Sequence, residues 1–294
     1  MDKEIIIEVK NLKQHFRIND SLTIKAIEDV SFCIRKNEIF GLVGESGCGK
    51  STVARAMCNI YKPTGGEIFY EGIPVFGKSA SSEQIKKMQA ETQMIFQDSA
   101  AALNPRMTVE KIILEPLRIL GKLEDKSSTH TKLVEMMHNV GLSESNLKKH
   151  PAELSGGQRQ RVAIARSLMV RPKLVIADEP VASLDVSIQA QIINLFKHVQ
   201  IEHGFSFMMI AHDLSVVRYI SDRVGVMFRG KLVELAPTEE LFSNPLHPYT
   251  QSLLSAIHVP DPIYERSKKI FYYDPKMELG TEMVEKTSGH FVLE

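Results

Sequence analysis

A chain of 294 residues, 43 % of them apolar, has room for one large domain or two modest ones. Its most apolar stretch, Lys111 to Leu120, is broken by Glu115, Pro116 and Arg118, far short of the roughly 20 apolar residues of a membrane span, and the charged start MDKEIIIEVK does not read as a signal peptide. Lysine plus arginine equals aspartate plus glutamate at 36 each, which leaves no global field to hold nucleic acid, so a cytoplasmic chain with no nucleic-acid partner is expected.

Residues 5–39 read as short strands with turns at Asn19-Asp20 and Lys36-Asn37, an antiparallel layer ahead of the first motif. Phe16 lies in that layer, where a flat ring can stack on adenine or simply belong to the core; His15 is the weaker candidate for the same role. Next comes FGLVGESGCGKST, Phe40 to Thr52, which reads G-x-x-x-x-G-K-S from Gly44 to Ser51. Gly44, Gly47 and Gly49 let the backbone around Glu45, Ser46 and Cys48 turn its N–H groups inward, toward phosphate oxygens at the positive end of the following helix. Lys50 then reaches the β- and γ-phosphates, and the Ser51 hydroxyl a Mg²⁺ ion. The three cysteines, Cys33, Cys48 and Cys58, lack C-x-x-C spacing and fit reduced thiols rather than a zinc or iron–sulfur site. Cys48, beside Lys50 and a helix start, is expected to favour the thiolate.

Lys50 to Tyr61 reads as a helix stopped by Pro63 and Gly65-Gly66, followed by a strand GEIFYEGIPV and a short strand QMIFQ ending at Gln97. From 98 to 154 helical periodicity takes over in KIILEPLRIL and TKLVEMMHNVGL, the sign of a small helical lobe inserted between two strands of the main sheet. LSGGQRQRVAIARSL opens with Ser155 as N-cap and with Gly156 and Gly157 leaving amides uncovered before Gln158, a second anion site at a helix start. KLVIADE is a continuously apolar strand suited to the centre of a parallel sheet, with Asp178 and Glu179 at its C-terminal end. Asp178 can serve a Mg²⁺ shell and Glu179 can polarise a water; the same pair can also be an ordinary acidic helix start. A helix from Val186 to His203 leads to the strand FSFMMIA and to His212, on the same expected edge. RVGVMFR and KLVELA form a hairpin around Gly230, followed by helices near Thr238 to Phe242 and from Pro248 to Ile257. Residues 258–294, rich in charge and proline, read as a loosely attached tail.

Together the phosphate loop, Gln97, LSGGQ, LVIADE, Ser183-Leu184-Asp185 and His212 resemble the nucleotide-binding subunit of an ABC transporter over about residues 5–257. QDSAAALNPRM, DVSIQAQ, PLHPYTQSLLSAI and the ending SGHFVLE look like the oligopeptide, dipeptide and nickel importer branch. The resemblance implies an α/β fold, a phosphate-loop (RecA-like) core with an antiparallel β layer and an inserted helical subdomain. Residues 1–257 would be the nucleotide-binding domain, with the helical insertion at 98–154, and 258–294 the tail. It also implies ATP hydrolysis with Mg²⁺ at the cytoplasmic face of the cell membrane. Gly44 to Thr52 would bind phosphates; Ser51, Gln97 and Asp178 would meet Mg²⁺. Glu179 would be the general base, and His212 would contact the γ-phosphate. Ser155 to Gln158 would cover the γ-phosphate of an opposite subunit, and Asp185 would cross that interface. Implied partners are a second homologous ATPase, two membrane permease subunits and an external substrate-binding protein. The cargo stays open between peptides and nickel or a metallophore. A soluble cassette of translation or DNA repair and a non-hydrolysing subunit are the rival readings. Many relatives carry a cysteine-rich segment after the HPYT helix; with no cysteine after Cys58, an iron–sulfur cluster is not expected here.

Overall fold

A computed structural model describes residues 4–98, 102–182, 184–256, 271–274 and 278–294 of the chain. Two compact units form, one from residues 1–80 and 208–294, the other from residues 81–207. Ser183, the end of the last expected helix at Ile257, and tail residues 258–270 and 275–277 lie outside the described residues.

The first unit starts with β1 (Ile5–Arg17) and β2 (Thr23–Arg35), an antiparallel hairpin whose register shifts several times. Ile7, Val9, Leu12, Ile27, Val30 and Ile34 are buried and carry the alternation legible in the sequence. The chain then runs through β3 (Ile39–Val43), α1 (Lys50–Met57), β4 (Gly65–Tyr70) and β5 (Ile73–Phe76). The stretch GEIFYEGIPV is therefore two strands, because Glu71 and Gly72 turn back at φ 48° and 76°. The antiparallel sheet has the order β2-β1-β4-β5.

The second unit opens with α2 (Ser82–Glu91), which the sequence reading leaves unassigned; Ser81 and Gln84 close a capping box at its start. β6 (Thr92–Ile95) follows, then α3 (Val109–Ile119), α4 (Lys126–Asn139) and two 3₁₀ turns at Glu144–Lys148 and Pro151–Glu153. Val109, Ile112, Ile113, Leu133, Met137 and Val140 bury the facing stripes of this helical segment. The unit continues through α5 (Gly156–Leu168), β7 (Leu174–Asp178), α6 (Val186–His203) and β8 (Ser206–Ile210), within which the two units divide. β6 and β7 pair in parallel, Thr92 with Leu174 through Ile95 with Ala177. Both faces of β7 are covered, as its unbroken apolar run requires.

The chain returns to the first unit with α7 (Leu214–Ile220), β9 (Arg223–Phe228), β10 (Lys231–Pro237), α8 (Thr238–Ser243) and α9 (Pro248–Ser255). It ends in β11 (Met283–Thr287) and β12 (His290–Leu293). β3 pairs in parallel with β9, β9 antiparallel with β10, and β10 antiparallel with β12. Residues 283–293 are thus sheet, where the sequence reads as part of a loose tail. The charged run in β11 hides the short apolar strand HFVL, whose His290, Val292 and Leu293 are buried.

One buried ion pair ties β9 to the turn before β3. Arg223 Nη1 lies 3.1 Å from Glu38 Oε1, both side chains are less than one-tenth exposed, and the guanidinium stands 5.8 Å from the centre of the Phe40 ring. Glu38 Oε2 also accepts the Arg35 N–H at 2.6 Å. Replacing Glu38 by Ala leaves the buried guanidinium without its carboxylate partner. Glu38→Ala is expected to lower stability by about 3–5 kcal/mol, read as a lower urea midpoint for the full chain; a midpoint equal to the parent's would show the pair to be idle.

Candidate functional site

In the first unit, five buried residues of β3 carry the chain to Gly44, and α1 begins at Lys50. Two glycines of the intervening loop are sterically obligatory. A Cβ on Gly44 (φ 145°) would lie 2.1 Å from the Met227 carbonyl oxygen, and one on Gly49 (φ 110°) 2.4 Å from that of Ala26. Glu45, Ser46 and Gly47 are exposed, Cys48 and Gly49 buried, and Ser51 and Thr52 half-buried in the first turn of α1. No acidic residue stands in that turn, so the positive end of the helix is not neutralised locally.

Lys50 is only 4 % exposed. Its Nζ donates to the carbonyls of Gly44 at 2.7 Å and Glu45 at 2.8 Å and lies 3.6 Å from Cys48 Sγ. Among the described contacts none carries a compensating charge. A buried ammonium held only by dipoles is poised to gain from an anion delivered to the loop, and a phosphate supplies one. The residues present therefore fit a nucleotide. Cys48 departs from expectation: burial pushes its thiol up, and Lys50 opposes this only partly, so the protonated form is favoured.

Phe16 is half-buried and meets the Tyr61 ring edge-on, centroids 5.4 Å apart at 80°. Tyr61 in turn lies 5.8 Å from the Arg55 guanidinium and accepts its N–H at 3.2 Å. Phe16 is thus propped at the rim rather than sunk in the core. His15 Nε2 lies 3.3 Å from Glu28 Oε1. His212 is exposed just past β8, where Asp213 caps α7 by accepting the Ser215 N–H at 2.8 Å.

In the second unit, β7 delivers Asp178, 1 % exposed, and then Glu179 in the left-handed region at φ 48°. A non-glycine residue there carries backbone strain, a state that persists where surrounding contacts hold it. Gln97, exposed just beyond β6, donates through Nε2 to Glu179 Oε2 at 3.0 Å. Two expected site residues 82 positions apart thereby meet. Gln160 was not singled out from the sequence. It is buried on α5 and donates to the Pro180 carbonyl at 2.6 Å, one peptide beyond Glu179. A burial pattern on α5 could have found it, but its polar type hid it among Arg159 and Arg161.

Ser155 and Gln158 close a capping box: Ser155 Oγ accepts the Gln158 N–H at 3.3 Å and Gln158 Oε1 accepts the Ser155 N–H at 3.0 Å. Ser155 and Gly156 are exposed, and a Cβ on Gly156 would meet nothing within 4 Å. The start of α5 is therefore open to an outside ligand or partner. Asp185 is exposed at the start of α6 and makes no side-chain cap there. Among the described residues no group of three or more His, Cys, Asp and Glu could hold a metal ion. Nor is any described helix long and apolar enough to cross a membrane.

Residues 27–182 match the family model described as ABC transporter, and residues 233–275 match that described as oligopeptide/dipeptide transporter, C-terminal region. The oligopeptide transport ATP-binding protein OppF of Bacillus subtilis is 50 % identical over 99 % of this chain and 96 % of its own length. The dipeptide transport ATP-binding protein DppF of Lactococcus lactis is 47 % identical over 98 % of this chain and 93 % of its own. Among solved structures, the dimeric ATP-binding cassette MJ0796, described as a post-hydrolysis state bound to ADP and Pi, aligns with TM-score 0.69 and 26 % identity over 79 % of this chain and 98 % of that one. The cassette cbiO1 of Clostridium perfringens aligns with TM-score 0.71 and 26 % identity over 82 % and 92 %.

Burial of the Cys48 thiol makes a chemical prediction. At pH 7 the native chain should alkylate with maleimide at Cys48 at least about 10-fold more slowly than the denatured chain, with the native rate still climbing above pH 9. Peptide mapping of timed reactions measures both, and fast labelling of native Cys48 near neutral pH would contradict the burial.

Proposed function

The chain belongs to the ABC transporter ATP-binding family and hydrolyses ATP, and on that premise we propose that it powers an importer of oligopeptides or dipeptides from the cytoplasmic face of the cell membrane. The buried Lys50 ammonium, enclosed by glycine-loop carbonyls with no counter-charge among its described contacts, carries the nucleotide half of the reading. Near-full-length similarity to proteins named for oligopeptide and dipeptide transport supports the cargo.

In this reading the amides of Gly44 to Thr52 and Lys50 Nζ hold the phosphates, and Phe16 offers its ring to the base. Ser51, Gln97 and Asp178 offer the hard oxygen donors that Mg²⁺ prefers, a few protein ligands being enough when the nucleotide provides the rest. Bound there, Mg²⁺ would neutralise charge on the β- and γ-phosphates. Glu179 takes the proton of the attacking water, its carboxylate oriented by the Gln97 amide, and His212 contacts the γ-phosphate. Gln160, by holding the Pro180 carbonyl, keeps the peptide after the base in place.

Two exposed groups are open to other chains. The open start of α5, Ser155 to Gln158, and the uncapped Asp185 would complete the site of a second, homologous ATPase subunit. Beside Gln97, a groove of about 530 Å³ is lined by residues including Met94, Phe96, Ile119 and Leu120, with Phe96 41 % and Ile119 77 % exposed. Apolar surface of this kind beside the Gln97–Glu179 contact supports docking of a membrane permease subunit there. Two such subunits and an external substrate-binding protein would complete the importer.

Glu179→Gln, assembled with the partner subunits, is expected to keep ATP binding and to lose about 10²- to 10⁴-fold in turnover; hydrolysis within a few-fold of the parent would remove Glu179 from the role of base. The isolated chain should hydrolyse ATP with a specific activity that rises with protein concentration and rises again when the second ATPase and the permeases are added. Full activity in a dilute monomer would rule out the shared site.

A further inference from the structure

The phosphate loop is held from outside as well as by its own glycines. The Glu45 N–H, on the exposed limb of the loop, donates to the Tyr249 hydroxyl at 3.1 Å across 204 positions of sequence. The same residue's carbonyl accepts Lys50 Nζ at 2.8 Å and the Cys48 N–H at 3.3 Å. One residue thus joins Tyr249 to the resting position of Lys50. On its other limb the loop is held by Gly230, whose N–H donates to the Cys48 carbonyl at 3.0 Å.

Tyr249 is itself immobilised. Its ring is buried, 4.2 Å from the centre of Phe228 on β9 and 5.7 Å from that of Tyr273. Its own N–H donates to His247 Nδ1 at 3.1 Å, which starts α9. The approach to α9 is pinned by Glu234 on β10, a fully buried carboxylate that accepts the Leu246 N–H at 2.7 Å and the His247 N–H at 3.0 Å. His290 Nε2, on the terminal strand β12, lies 2.7 Å from the same carboxylate. A continuous run of short polar contacts therefore leads from the last strand of the chain, through Glu234 and α9, to the Glu45 amide.

We infer that Tyr249 is a positioning residue for the phosphate loop: its hydroxyl holds the Glu45 amide and so presets the peptide that receives Lys50, making the segment after β10 a brace for ATP binding. The inference rests on the phosphate-loop reading above. Burial raises the Tyr249 phenol well above its usual range, so the hydroxyl stays neutral and available as an acceptor throughout the working pH range. A cavity of about 260 Å³ beside the contact, lined by residues including Glu45, Gly47, Cys48, Phe228 and Tyr249, leaves the loop room to move once the tether is cut.

The test uses the full-length chain in a Cys33→Ser/Cys58→Ser background, comparing Tyr249→Phe, which keeps the ring, with Lys50→Ala. With nucleotide absent, Tyr249→Phe should leave the melting temperature near the parent's and raise the maleimide rate at Cys48 by about 3-fold or more. ATP affinity should fall about 2- to 10-fold, the range of one neutral hydrogen bond. In the assembled transporter KM should rise with kcat close to the parent's. An unchanged Cys48 rate and ATP affinity in Tyr249→Phe, with binding lost in Lys50→Ala, would overturn the positioning role and leave the loop assignment standing. Retained ATP binding in Lys50→Ala would instead overturn the loop assignment itself. Should Tyr249→Phe fail to fold, hydrogen exchange of the parent decides. Protection of the exposed-limb Glu45 amide by about 10-fold or more supports the tether, and exchange at the unprotected rate overturns it.

Discussion

A buried ammonium with only carbonyl dipoles and a thiol among its described contacts is the constraint around which the first unit is arranged. Desolvating a charge is costly unless something nearby answers it, so the loop must present carbonyl oxygens inward at Lys50 and still leave amides outward for an anion. Only a backbone free to enter unusual φ can do both within six residues, and Gly44 and Gly49 sit where a side chain would strike the neighbouring carbonyls of Met227 and Ala26. The neighbouring strands and turn are therefore as much part of the loop as its own glycines.

The second unit solves a different problem, that of fixing a carboxylate at the end of a strand. β7 is buried on both faces, and the chain leaves it through Glu179 in the left-handed region. Two amides hold this departure, Gln97 on the carboxylate and Gln160 on the next peptide. One comes from the end of β6 and the other from α5, the helix whose start is the exposed LSGGQ segment. An event at either place has a short route of contacts to Glu179.

Buried charge recurs where the ends of the first unit must be locked. Glu38 and Arg223 fasten β9 to the turn before β3, and Glu234 gathers two backbone amides and His290. Glu38 accepts one backbone N–H and Glu234 two, in addition to the cationic or imidazole partner of each, which is the condition under which a buried charge is tolerated.

The sequence by itself determined the phosphate loop, the LSGGQ helix start, the carboxylate pair at the end of β7, and the α/β class, because each rests on local periodicity or on residue types whose backbone demands are local. Glycines with lysine, serine before two glycines, and an unbroken apolar run ending in acids carry their meaning within a dozen residues. α2 and α7 escaped because their weak amphipathic patterns are short, and the terminal hairpin escaped because charge in β11 outweighs the four residues of β12. Whether Cys48 is a thiolate, whether Phe16 is core or rim, and that Gln97 meets Glu179 were decided only by tertiary structure. Burial, edge-on ring contact and an 82-residue separation are properties of the folded surroundings. The Tyr249 tether belongs to the same class: a tyrosine 204 positions away acquires a partner in the loop only through the fold.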